Sequence, residues 1–161
     1  MRKMLLTLII ACMVVLLSTL SMTAISSAKS VTPLKCELYF ALNWDWVATG
    51  VGPTWIGTVQ GDITGNIYFY AVGATYPGVV EHFAETWLIE TGAGSIWGLD
   101  DGVWSFKTYE FKSNGQVTGA TGDLTDSVGC YLHIRGVSTA FPVPFGTPVT
   151  ATGTLLISGS D

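Results

Sequence analysis

The chain has 161 residues, with 12 acidic side chains against 7 lysines and arginines and a formal net charge of −5. Nucleic acids and anionic membranes are bound by clustered positive charge, so this balance argues against both as partners. A chain of this length folds as one domain and buries a real core without dense cross-linking.

The N-terminus has the order of charge, apolar stretch and small residues that a secretory signal peptide requires. Met1-Arg2-Lys3 is a short positive start, and an uncharged run follows that ends in Ser26-Ser27-Ala28. We therefore expect a secreted protein with a signal peptide at residues 1–28 and a single domain at residues 29–161. The alternative is an uncleaved membrane anchor, because the apolar run Met4–Leu20 lies at the short limit for spanning a bilayer of roughly 30 Å.

Cysteine usage agrees with export. Removal of the signal segment takes Cys12 away and leaves Cys36 and Cys130. Two cysteines in an oxidising compartment most simply form one disulfide, which here would join the first strand to a late one. The alternative is a pair of buried free thiols. Without a third cysteine or a Cys-x-x-Cys motif, no thiolate metal site is expected, and we predict neither a metal nor a cofactor.

The rest of the chain carries the pattern of a many-stranded antiparallel protein. Short runs of aromatic and β-branched residues alternate with glycine, and no stretch has a convincing helical period. The predicted strands are Leu34–Leu42, Thr54–Val59, Asn66–Val72, Phe83–Thr91, Ser95–Leu99, Val103–Lys112, Gln116–Thr121, Gly129–Val137 and Val149–Ser158.

Turn residues separate these runs. Asn114-Gly115 predicts a tight hairpin, because both residues tolerate positive φ. Gly92–Gly94, Asp101-Gly102 and Gly122-Asp123 predict further turns, and Pro142–Pro148 predicts a loop because proline cannot donate to a sheet ladder. Short connections between eight or nine strands favour an all-β, antiparallel up-and-down barrel of about eight strands, in which closure removes exposed edges. A β-sandwich is the alternative.

Two short segments have similar sequences: Gly61-Asp62-Ile63-Thr64-Gly65 and Gly122-Asp123-Leu124-Thr125-Asp126. A calcium loop would need more closely spaced oxygen ligands than either segment supplies. We interpret both as turns in which the aspartate binds backbone.

The segment from Glu85 to Gly98, Glu-Thr-Trp-Leu-Ile-Glu-Thr-Gly-Ala-Gly-Ser-Ile-Trp-Gly, resembles the central strand pair of the allene oxide cyclase and dirigent barrels. Gly61-Asp62-Ile63 followed by Tyr68-Phe69-Tyr70 is similar to the preceding cyclase strands. The resemblance covers about 40 residues and rests on turn glycines and core aromatics, so it concerns the fold more than the chemistry. It implies an eight-stranded barrel with an apolar cavity, often assembled as a homo-trimer, and it assigns no catalytic residue to this chain.

Three polar side chains on the late strand share one face. Tyr131, His133 and Arg135 alternate with Leu132 and Ile134. If the polar face lines a cavity, the histidine is a candidate acid or base and the arginine a candidate carboxylate ligand. Ordinary exposure of a polar strand face is the favoured interpretation.

A second polar cluster comprises Glu81, His82 and Glu85, a combination suited to proton transfer or metal binding. Its spacing matches no established motif, and a solvated turn is the favoured interpretation.

Aromatic residues are the remaining candidates. Tyr68 and Tyr70 share one strand face, and Trp44, Trp46 and Trp55 lie close together in the sequence. Such rings either form the floor of a ligand cavity or pack as core and barrel wall.

Together these features predict a protein that binds a small apolar or amphipathic ligand or a protein partner. The candidate ligand-binding residues are Tyr68, Tyr70, Glu85, Tyr131, His133 and Arg135. A cofactor-free isomerase or cyclase is the second hypothesis, in which Glu85 or His133 acts as acid or base. A purely structural cell-surface module is the third.

Overall fold

The computed structural model describes residues 31–141 and 148–159. Its eight strands run in chain order around a closed antiparallel barrel in which the first strand pairs with both the second and the last. The predicted up-and-down barrel is therefore confirmed, and the sandwich alternative is excluded.

The strands range from seven to twelve residues in length. They are β1 (Leu34–Leu42), β2 (Trp55–Gly61), β3 (Gly65–Thr75), β4 (Val80–Thr91), β5 (Gly94–Ser105), β6 (Glu110–Ala120), β7 (Tyr131–Ser138) and β8 (Thr150–Ser158).

Strict alternation along the strands decides which side chains fill the barrel. In β1, for example, Cys36, Leu38, Phe40 and Leu42 are buried, whereas the residues between them are not. At the end of the barrel where β1 begins, the interior is filled by aliphatic side chains that include Ile67, Ile89, Ile96, Leu132 and Ile157, all fully buried. At the opposite end the interior is aromatic, and there it holds a cavity.

A short helix, α1 (Trp44–Thr49), connects β1 to β2. The Asn43 side chain caps it by accepting a hydrogen bond from the Asp45 backbone N–H (3.1 Å), and Gly50 ends it in the left-handed region at φ 70°. At six residues the helix is too short to produce a period, which is why the sequence pattern did not reveal it.

Two predicted turns in the middle of the chain were wrong. Asp101-Gly102 lies inside β5, and Asn114-Gly115 lies inside β6, where Asn114 pairs with Asp101 and Gly115 with Asp100. The β5–β6 turn instead falls between Ser105 and Glu110. The Ser105 hydroxyl accepts hydrogen bonds from the Lys107 and Thr108 backbone N–H groups there, and Tyr109 has a positive φ of 58°. The three strands predicted between Ser95 and Thr121 are therefore two longer ones, and the observed turn divides the predicted strand Val103–Lys112 between them.

The predicted disulfide was also wrong. Cys36 and Cys130 are both free and buried. Strand β8 lies between β1, which carries Cys36, and β7, which Cys130 precedes, so the two cysteines are not on neighbouring strands. The Cys36 thiol instead donates to the Ile63 carbonyl oxygen at 3.5 Å.

Two sequence predictions fall outside the described residues: the signal segment at 1–28 and most of the loop from Pro142 to Pro148. Within the described part of the chain, none of the helices has the length and apolar character needed to cross a bilayer.

Gly98 shows how closely the strands approach. The β5–β6 register shifts at Trp97 and Gly98, and a Cβ atom on Gly98 would lie 2.0 Å from the Gln116 carbonyl oxygen and 2.7 Å from the Trp87 ring. Neither the backbone oxygen nor a fully buried indole can give way at low cost. Gly98 therefore has to lack a side chain.

We expect Gly98→Ala to lower the free energy of unfolding by about 1–3 kcal/mol, as overpacking does in well-packed cores. Urea denaturation followed by tryptophan fluorescence measures the change. Gly92→Ala is the matched control, because a Cβ there meets no atom within 4 Å. Equal stability of the two variants would contradict the close approach at Gly98.

Candidate functional site

A cavity of about 220 Å³ occupies the aromatic end of the barrel. Its wall comes from β1 to β7, from α1 through Trp46 and from Phe141 after β7. The rings that line it are Phe40, Trp46, Trp55, Phe69, Tyr76, Phe83, Trp104, Phe111 and Phe141. The cavity is thus enclosed mainly by aromatic surface.

The rings pack against one another around the cavity. Phe40 contacts Trp55, Phe69 and Phe111 with centroids 5.3–5.6 Å apart, and Trp104 lies 5.3 Å from Trp55. Tilted and edge-on contacts at these distances are the favoured geometries for aromatic pairs. The mutual packing holds the wall in one arrangement.

Two carboxyl groups interrupt this apolar surface. Glu85 on β4 and Asp100 on β5 are directly opposite each other in the strand register. Alternation places both on the inner face, with Glu85 in the cavity wall and Asp100 between Glu85 and Ser113, which also lines the cavity. Two acidic side chains therefore lie next to each other inside the barrel.

Burial controls the protonation of this pair. It raises the pKa of Glu85 well above its usual range, and the negative charges of Asp100 and Glu81 raise that pKa further. Burial likewise raises the pKa of Asp100 to about 7, against an opposing effect of the Ser113 hydroxyl and a further increase from Asp101. Desolvation and like-charge repulsion both disfavour the ionised forms.

Asp100 lacks the partners that a buried carboxyl normally has. The residue is 5% exposed, and although the Ser113 hydroxyl lies close enough to act on it, neither carboxyl oxygen has a hydrogen bond of normal geometry within the described residues. The nearby indole N–H of Trp87, two residues after Glu85, is also unpartnered. Buried polar atoms are almost always satisfied in native proteins, so such atoms are candidate ligand contacts.

The wall beside Glu85 is irregular. Ala71 on β3 pairs with Glu85, and the next paired residue is Gly73, which leaves Val72 as an extra residue in a bulge. Strand β2 begins at Trp55, which is opposite Phe69, so β3 has no β2 ladder partner beyond Phe69. The Thr54 hydroxyl accepts the Ala71 backbone N–H at 3.0 Å. Bulges of this kind often lie at barrel rims and beside functional sites.

A further acidic side chain and several rings lie near Glu85. Glu81 lies two residues before Phe83 on β4, and both line the cavity. The Tyr76 hydroxyl contacts Glu81 and lowers its pKa, while burial raises that pKa by more. Phe106 contacts Tyr76 at 6.2 Å and Phe141 at 4.1 Å between ring centroids.

Of the six predicted ligand-binding residues, Glu85 alone lines this cavity. Tyr131 and Arg135 are exposed, and the His133 ring nitrogen Nδ1 lies 2.8 Å from Asn114 Oδ1 on the outer face. The favoured interpretation of this strand, with its polar face outward, agrees with this arrangement. Tyr68 and Tyr70 also lie outside, since Phe69 between them is the inward residue.

The cluster of Glu81, His82 and Glu85 is divided between the two faces of β4. Both glutamates line the cavity, whereas His82 is exposed. Within residues 31–141 and 148–159, no group of three or more His, Cys, Asp or Glu side chains is arranged to hold a metal ion.

Sequence reasoning missed Asp100 and Ser113. Asp100 was assigned to a turn because Asp101-Gly102 follows it. Every second residue of β5 points inward, however, so Ile96, Gly98 and Asp100 all lie on the inner face. Reading that alternation through the glycine would have identified a carboxyl group inside the barrel.

The chain matches no known family model, no curated protein and no solved structure. The similarity to allene oxide cyclase and dirigent barrels therefore stays a prediction.

The buried carboxyl pair makes stability depend on pH. Burial raises the pKa of Asp100 in the folded protein to about 7, against 3.8 for an unfolded aspartate, so between these pH values the folded protein holds a proton that the unfolded chain has released. The free energy of unfolding then falls as pH rises through this range, by about 1.4 kcal/mol per pH unit for each such proton.

We expect Asp100→Asn to make this pH dependence shallower and to leave the variant more stable than the parent protein above about pH 7. Urea denaturation at a series of pH values measures the slope. The control is Glu90→Gln, which neutralises an exposed carboxyl on the same hairpin and should retain the parent slope. An unchanged slope in Asp100→Asn would show that the buried carboxyl does not carry the effect.

Proposed function

We propose that this protein is an exported, non-enzymatic barrel that binds a small amphipathic molecule in the aromatic cavity. The observation that carries the proposal is the cavity itself, about 220 Å³ of mainly aromatic wall interrupted by a carboxyl pair. Binding sites for small molecules have this composition: apolar walls that provide affinity and a few polar groups that fix orientation.

The size of the cavity limits the ligand. An apolar cavity of about 150 Å³ is enough to hold benzene. The cavity here is larger at about 220 Å³, so a molecule with one ring and a short polar arm fits its size. A purely structural module would gain stability by filling this space, since empty volume in a core lowers stability.

A proton-transfer enzyme is the second candidate, and the protonation of the carboxyl pair favours it. A group whose pKa lies near 7, as that of Asp100 does, is suited to general acid–base catalysis. The two functions differ in one observable: a catalyst exchanges C–H protons of its bound ligand with D₂O, whereas a binding protein leaves them unchanged. NMR of a ligand incubated with the protein in D₂O distinguishes them.

Two measurements test ligand binding. Native mass spectrometry of the protein purified from its own host should show a retained small molecule. Isothermal titration calorimetry with 2-phenylethanol, a neutral single-ring amphiphile, should show saturable binding to the purified protein.

Ala71→Phe should abolish this binding, because its ring would occupy the cavity opposite Glu85. Thr58→Phe is the matched control, since Thr58 is exposed on the outer face of β2. The proposal fails if the parent protein neither retains a molecule nor binds 2-phenylethanol, or if both variants bind equally well.

A further inference from the structure

The charge inside the cavity has one sign. Glu81 and Glu85 line it from β4, and Asp100 lies beside them on β5. None of the described residues in its wall is lysine, arginine or histidine. The site therefore contains acidic groups without any basic side chain to neutralise them.

The charged groups around the pair do not alter this sign. Asp101 follows Asp100 on the outer face of β5 and adds negative charge, while Tyr76 and Ser113 contribute hydroxyl groups. Lys112 and Arg135 are opposite each other in the strand register and exposed on the outer faces of β6 and β7, and His82 is exposed on β4. The basic groups on these neighbouring elements thus lie on the opposite side of the barrel wall.

Asp100 supplies an independent indication of a ligand. Its carboxyl is about nineteen-twentieths buried on the inner face between two cavity-lining residues, and apart from the nearby Ser113 hydroxyl, which forms no hydrogen bond of normal geometry with it, neither oxygen has a partner among the described residues. Removing a carboxyl group from water is unfavourable unless hydrogen bonds or an opposite charge compensate for the lost solvation. A bound hydrogen-bond donor with a positive charge would recover this cost.

The aromatic wall suits the same charge. The negative faces of tryptophan and phenylalanine rings attract organic cations, and this attraction is strongest where water is excluded. Trp55, Trp104 and Phe111 form a continuous series of rings, with neighbouring centroids 5.3–5.4 Å apart, in the wall of the cavity. A hard inorganic cation such as Ca²⁺ needs six to eight oxygen ligands, which this wall does not offer.

We propose that the ligand is an organic cation, a single-ring amine whose ammonium group binds between Glu85 and Asp100 while the aromatic wall encloses its apolar body. This inference rests on the proposed ligand-binding function and specifies the chemical class of the ligand. The ammonium donates hydrogen bonds to the carboxylate oxygens, and its charge favours their ionised forms.

The test compares two probes of nearly equal shape, 2-phenylethylamine and 2-phenylethanol, by isothermal titration calorimetry on the full protein. At about pH 8 an alkylammonium is still protonated, and we expect the amine to bind at least about tenfold more tightly than the alcohol. At about pH 5 its advantage should shrink, because the carboxyl groups must then release protons before they pair with the ammonium.

Glu85→Gln and Asp100→Asn should each remove most of the preference for the amine while retaining binding of the alcohol, which also shows that the variants fold. Glu90→Gln is the matched control and should keep the preference. Equal binding of the two probes by the parent protein, or an amine preference that survives both variants, overturns the inference and leaves the proposed function standing. If neither probe binds the parent protein, the inference is overturned, and if native mass spectrometry also shows no retained small molecule, the proposed function is overturned with it.

Discussion

Antiparallel pairing of β1 with β8 is the contact on which the other features of this protein depend. The register runs from Leu34 opposite Ile157 to Ala41 opposite Thr150, so the first and last strands close the sheet along almost their full length. Closure leaves the sheet with an inside and an outside, and alternation then assigns every strand residue to one of them. Glu85 and Asp100 are desolvated because the sheet that carries them is closed.

The interior that closure creates is divided along its axis. Aliphatic side chains of similar size fill one end, whereas the other contains rings that cannot pack to the centre without leaving space. Glycines on the inner face accommodate these rings: a Cβ on Gly102 would lie 2.5 Å from the Phe83 ring, and one on Gly136 would lie 2.4 Å from the Phe111 ring. Small residues facing large ones are a general device for filling a barrel.

The fold was predictable because it depends on local patterns. Period-two alternation and turn glycines indicated a meander of about eight strands, and β1 was predicted at its observed bounds of Leu34–Leu42. Strand continuity was not predictable, because Asn114-Gly115 has the local chemistry of a tight turn but pairs within β6 across from Asp100 and Asp101. Tertiary pairing overrode turn propensity at that position.

The site was less predictable than the fold for the same reason. Glu85 was a candidate because it lies in a polar cluster with Glu81 and His82, but its partner Asp100 was hidden beside an apparent turn. The cysteines illustrate the limit of composition: their number and compartment suggested a disulfide, whereas the strand order keeps Cys36 and Cys130 on strands that are not neighbours. Which residues meet across a barrel depends on register, and register is a property of the whole sheet.

The unequal lengths of β2 and β3 have a consequence for exchange with solvent. Beyond Phe69, β3 has no ladder with β2, and Val72, Gly73, Ala74 and Thr75 are exposed along the cavity side of the barrel. Displacing this segment from β2 breaks no ladder hydrogen bond, but it does break the bond from the Ala71 backbone N–H to the Thr54 hydroxyl. This edge of the cavity wall is therefore held to β2 by fewer hydrogen bonds than the strand ladders elsewhere in the barrel, so it can open locally at a lower free energy than global unfolding requires.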